Sequence, residues 1–165
     1  DPFGFTGNHD LARSKGVDED LLHDRPEDVL RNVVELLRQA DRVSSRKKIS
    51  RPLAVVVSKI DAFFEFIDED SPLRRASSDQ PYFDEAESLE VHEHVAMLLN
   101  EWSGGGLLRM LEINFSTFRL FAASALGAEP DYARRMANPR GVLPHRVAEP
   151  LLWLMAQRGF LPKEG

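Results

Sequence analysis

Pro52-Leu53-Ala54-Val55-Val56-Val57-Ser58-Lys59-Ile60-Asp61 is the stretch on which the reading of the fold turns. Its first six residues are an uninterrupted apolar run rich in β-branched side chains. Such a run suits a strand buried on both faces, as in a parallel sheet covered by helices. A polar signal, Ser58 to Asp61, follows at once. The same succession recurs downstream, where Phe118 to Ala123 reads as a second buried strand and Ser124-Ala125-Leu126-Gly127 follows it. Two apolar strands interleaved with helical segments predict an α/β fold, a sheet of mostly parallel strands flanked by helices.

Outward from this stretch, Pro26 to Leu37 carries the start signal of a helix. Pro26 stands in the first turn, Glu27 and Asp28 face the positive end of the dipole, and Val29, Leu30, Val33, Val34, Leu36 and Leu37 form an apolar stripe. The basic cluster Arg42, Arg46, Lys47 and Lys48 reads as a solvated helix end and loop. Asp61 to Ile67 is helical or turn-like. The acidic stretch 68–87 shows no periodicity and reads as a surface-loop insertion. Leu89 to Trp102 and Leu107 to Ile113 return to helical spacing on either side of Gly104-Gly105-Gly106. A loop rich in Pro, Arg and Asn runs from Gly127 to Pro144, and Arg146 to Arg158 predicts a closing helix stopped by Gly159 and Pro162.

The chain has 165 residues, which fits one domain, and 42% hydrophobic with 29% charged residues places it among chains that fold. A net charge of −6 argues against sequence-independent binding to nucleic acid, which needs a basic surface to displace phosphate counterions. No apolar run reaches the roughly 20 residues of a membrane-spanning helix. Without cysteine there is no disulfide, thiolate metal site or cysteine nucleophile, which fits a cytoplasmic setting. The start, Asp1-Pro2-Phe3-Gly4-Phe5, has neither Met nor a basic leader, so the chain reads as a piece of something longer.

Both strands end in polar residues at their carboxyl ends, where open α/β sheets bind ligands. Ser58-Lys59-Ile60-Asp61 resembles the Asn/Thr-Lys-x-Asp base-recognition motif of P-loop GTPases, and Ser124-Ala125-Leu126 resembles their Ser-Ala-Lys/Leu motif. The order and the strand contexts match. The stretch from Pro52 to Leu161 resembles the carboxyl-terminal half of a GTPase domain, and more particularly the bacterial GTPase-like proteins sometimes called double-GTPase domains. That closer resemblance rests on Asp1-Pro2-Phe3-Gly4, Leu53 to Asp61, Ala122 to Gly127, Asn138-Pro139-Arg140-Gly141-Val142, and Glu149-Pro150-Leu151-Leu152-Trp153-Leu154.

The resemblance implies a guanine-base site made by Ser58, Lys59, Asp61, Ser124, Ala125 and Leu126. Guanine presents N1–H and N2–H on one edge, so one carboxylate, Asp61, accepts two charge-assisted bonds that adenine cannot offer. Lys59 would lay its aliphatic stem over the base, and a backbone N–H near Ala125 would donate to O6. Ser58 departs from the usual Asn or Thr, and the spacing between the motifs implies an insertion. None of the ten glycines belongs to a Gly-x-x-x-x-Gly-Lys-Ser/Thr phosphate loop. GTP or GDP with Mg²⁺ is therefore expected only in a longer parent. Asp1-Pro2-Phe3-Gly4 matches the switch Asp-x-x-Gly, with Asp1 expected at the end of a preceding strand.

Two functions remain open. The chain is the guanine-recognition half of a GTPase-like regulatory protein, not hydrolytic by itself, or a degenerate nucleotide-free α/β module for protein interaction. In either case an exposed sheet edge invites a protein partner or self-association. His92 and His94 stand two apart on a helix, the wrong spacing for a shared metal. Ser124 and His145 lack a nucleophile elbow. Phe63, Phe64 and Phe66 could wall a base or pack on the sheet.

Overall fold

The structure, a computed structural model, describes residues 1–22, 25–77, 81–132, 134, 136, 138–139 and 141–164. Residues 78–80 of the acidic stretch and Arg140 of the Asn138–Val142 segment lie outside them. In chain order the elements are α1 (His9–Ser14), α2 (Pro26–Asp41), β1 (Leu53–Val57), β2 (Phe83–Asp84), α3 (Glu85–Glu101), α4 (Gly105–Asn114), β3 (Phe118–Ala122), α5 (Glu149–Gln157) and β4 (Lys163–Glu164), with short 3₁₀ turns between.

Strands β1 and β3 pair in parallel, in register from Leu53 opposite Phe118 to Val57 opposite Ala122. An added bridge between Ile49 and Phe115 prolongs the pairing toward the amino end. Because side chains alternate along a strand, the pair has two faces. Leu53, Val55, Val57, Leu120 and Ala122 join Leu30, Val34, Val91, Val95, Leu99, Leu107 and Leu111 in the main core, so α2, α3 and α4 share one side. Ala54 and Phe121 pack with Trp153 and Ala156 of α5 on the other. The two-residue strands β2 and β4 also pair in parallel, tying the tail to the start of α3. The chain is thus mixed helix and strand with short parallel sheets.

Several boundaries differ from the sequence expectation for identifiable reasons. α2 runs on to Asp41 and stops where Arg42 takes a left-handed φ of 52°. Of its apolar stripe only Leu30 and Val34 are buried; Val29 is 59% and Leu36 66% exposed. Val56, expected inside a two-sided core, is 42% exposed because only one side of β1 is paired. The stretch 68–87, expected as a surface loop, contains buried Ser71, Pro72 and Leu73, and from Glu85 it is already α3. α3 starts earlier because Asp84 caps it, its carboxylate accepting from the Glu87 N–H at 2.8 Å.

Arg146 is what holds that stretch down. Its guanidinium, 1% exposed, donates to the carbonyls of Pro72 and Arg75 and to the carboxylates of Glu87 and Glu149, each at 3.0 Å. One side chain thereby joins the 72–75 turn, α3 and α5.

Candidate functional site

Parallel pairing brings the carboxyl ends of β1 and β3 side by side, and the two polar segments leave the sheet together. They are laced by backbone hydrogen bonds: Ala123 N–H donates to the Val57 carbonyl at 2.9 Å, and Ile60 N–H donates to the Ala123 carbonyl at 3.3 Å. Lys59 turns the chain with a left-handed φ of 56° and leads into a 3₁₀ helix over Ile60–Phe66. Asp61 in its first turn is 6% exposed, and its Oδ1 is shielded with no hydrogen-bond partner among the described residues. Burying a carboxylate oxygen without a donor is costly, and in this arrangement the atom is out of reach of solvent.

On the β3 side, Ser124 is buried and its hydroxyl oxygen accepts from Leu126 N–H at 3.2 Å and Gly127 N–H at 2.7 Å. This curls the segment into a tight loop. Gly127 closes it at φ +73°, where an added Cβ would lie 1.7 Å from the Leu143 carbonyl oxygen. Ala125 at the loop tip is exposed, and its N–H has no hydrogen-bond partner among the described residues. A buried carboxylate oxygen and a solvent-exposed amide therefore stand on neighbouring loops. Ser58 is exposed and Leu126 half-buried.

Lys59 is engaged rather than free. Its ammonium donates to the Asp1 carboxylate at 2.5 Å and lies 5.9 Å from the centre of the Phe3 ring. Asp1 itself, expected at the end of a strand, caps a 3₁₀ turn over Pro2–Gly4 by accepting from the Phe3 N–H. Phe3 packs on Phe63, which packs on Trp102, and Phe63 is buried; Phe66 is 61% exposed. Of the three phenylalanines, the first is core.

Tyr132 was not legible as a site residue, since it sits in a Pro- and Arg-rich loop with no periodicity. Its ring meets Phe3 edge-on, and burial, with Glu129 and Asp61 adding, pushes its phenol up to about 12. It stays a neutral phenol beside the Asp61 carboxylate. Ser124 and His145 are joined only through backbone hydrogen bonds, and the imidazole Nε2 lies 2.7 Å from the Leu73 carbonyl, so the two form no nucleophilic pair.

Among the described residues no three His, Cys, Asp or Glu side chains gather as a cation site, and Asp1 already accepts from Lys59 and Phe3. Comparison with protein-family models, with curated proteins and with solved structures finds no match to this chain.

Proposed function

We propose that the joined carboxyl ends of β1 and β3 form the guanine-recognition corner of a P-loop GTPase-like regulatory domain, lacking its own phosphate cradle. The observation that carries this reading is that two loops hydrogen-bonded to each other carry Asp61, whose buried Oδ1 has no partner among the described residues, and Ala125, whose N–H is exposed. Guanine supplies the missing partners: N1–H and N2–H for Asp61, and O6 for Ala125. Adenine offers an amino group where Ala125 needs an acceptor. Guanine nucleotide with Mg²⁺ would be held in full only where a phosphate loop is supplied from outside residues 1–165.

The second reading, a nucleotide-free interaction module, is favoured by the Lys59–Asp1 contact and by the shielding of Asp61, both of which a base must displace. Amide chemical-shift mapping at millimolar nucleoside separates the two. Guanosine is expected to move the Asp61 and Ala125 resonances and adenosine to leave them in place. Equal shifts with both nucleosides, or none with either, would favour the interaction module.

A further inference from the structure

The backbone lacing of the two polar segments reaches Ile60 on one side and Ala123 on the other, so Asp61 and Ala125 both stand past its last bond. A side chain from outside the sheet joins the segments there. The Lys15 ammonium donates to Glu65 Oε1 at 2.9 Å and to Glu129 Oε2 at 2.8 Å. Glu65 belongs to the 3₁₀ helix Ile60–Phe66, which carries Asp61 in its first turn, and Glu129 follows the loop that Ser124 and Gly127 close. One cation, its side chain 15% exposed, is thus tied to both loops.

The base from which Lys15 reaches is itself fixed. Lys15 ends α1, its N–H donating to the Leu11 carbonyl at 3.0 Å. Ala12 is wholly buried in the main core, and Leu11 packs against that core. Just ahead of α1, Gly7 N–H donates to the Trp102 carbonyl at 3.3 Å, and an added Cβ at Gly7 would lie 2.9 Å from the Trp102 Cα. Trp102 in turn packs on Phe63. The amino-terminal segment is therefore keyed to the helix that carries Asp61, and Lys15 passes that placement on to the second loop through Glu129.

We infer that Lys15 is a positioning residue, a latch that fixes the spacing of the Asp61 and Ala125 loops and thereby the base preference of the site; its bearing on the base rests on the guanine reading. The N1 proton and the O6 oxygen of guanine are neighbours on the ring, so a carboxylate and an amide read both only at one separation. Groups that must keep such a separation need support from side chains behind them. Lys15 gives it through Glu65 and Glu129.

The test is amide hydrogen exchange at Ile60, with Val95 of α3 as the reference, in wild type, Lys15→Met, Lys15→Arg, Glu65→Ala and the double variant Lys15→Met with Glu65→Ala. Glu65 is 59% and Glu129 30% exposed, so either carboxylate hydrates once the cation is gone and the fold persists. Lys15→Met is expected to speed exchange at Ile60 roughly fivefold, as two part-exposed ion pairs allow, and to leave Val95 unchanged. Lys15→Arg should restore the wild-type rate. A latch needs both arms, so Glu65→Ala should match Lys15→Met and the double variant should go no further. In guanosine and adenosine titrations read at the Ala125 amide, the guanosine preference of wild type should narrow in Lys15→Met and return in Lys15→Arg. The inference is overturned if Ile60 exchanges at the wild-type rate in Lys15→Met, if Val95 speeds up with it, or if wild type prefers guanosine and Lys15→Met keeps that preference in full. A wild type that answers to neither nucleoside overturns the guanine reading, and the exchange rates then decide the latch alone.

Discussion

Arg146 and Gly127 show how much of this structure hangs on single residues whose partners are far away in sequence. The Arg146 charge is out of water and survives there because four acceptors surround it. Burial pushes the Glu149 carboxyl up, and Arg146 pulls against it. Removing the cation leaves Glu87 and Glu149 facing each other and two carbonyls without donors. Arg146→Met is therefore expected to cost about 3–5 kcal/mol in urea unfolding, the range for breaking a buried ion pair by deleting one partner. Gly127 and Gly159 both have left-handed φ values, but only Gly127 meets backbone where a Cβ would go. Gly159→Ala should cost about 1–2 kcal/mol from the φ penalty alone, and Gly127→Ala clearly more in the same assay. Neither role was legible in the sequence, because three of the four Arg146 partners, Pro72, Arg75 and Glu87, lie 59 to 74 positions away and no local period records that.

At the scale of elements, β1, β3 and the helices around them were legible because their signals are local: β-branched runs for the strands, apolar spacing and charge placement for the helices. The 68–87 stretch was not. Buried Leu73 and Phe83, ten residues apart in an acidic, Pro-containing segment, have no periodicity to betray them, and the anchor of the 72–75 turn, Arg146, lies in another part of the chain. His92, whose spacing from His94 gave it no metal role, caps the edge of β3. To accept from Leu120 N–H its Nδ1 must be unprotonated. Burial and then Arg119 hold its pKa below the ordinary 6.5, with Glu93 opposing. Since the folded state binds this proton less readily than the unfolded one, the contribution is full above about pH 6.5 and is lost as pH falls from there through the depressed folded value. The urea midpoint should drop between pH 7.5 and 5.5 in wild type, and the drop should be smaller in His92→Gln. Identical pH profiles would show that the cap carries no linkage.

For the molecule as a whole, the meeting of the two polar segments was legible to the level of loops but not of contacts. The spacing of the two polar segments after their strands placed Ser58 to Asp61 beside Ser124 to Leu126, and the parallel register joins them. That Lys59 is tied to Asp1, and that Tyr132 lies against the site, depends on loops whose sequences carry no period. Charge-assisted bonds to a base contribute about 1.5–3 kcal/mol each, against an association cost of about 4–15 kcal/mol. Residues 1–165 alone are accordingly expected to bind guanosine, GDP and GTP no better than millimolar by calorimetry and to hydrolyse none of them. A micromolar constant for GDP would mean that a phosphate site exists where none has been recognised.

The guanine reading itself rests on the donor and acceptor pattern at Asp61, and that pattern can be inverted. Xanthine keeps N1–H but carries a carbonyl where guanine has its N2 amino group. Asn in place of Asp accepts from N1–H through Oδ1 and donates to that carbonyl through Nδ2. The decisive measurement is the shift of the Ala125 amide on titrating wild type and Asp61→Asn with guanosine and with xanthosine. Wild type should respond to guanosine and not xanthosine, and Asp61→Asn should reverse that order. An unchanged preference in the variant, or no nucleoside response at Ala125 in either protein, would contradict the assignment of Asp61 to the guanine edge.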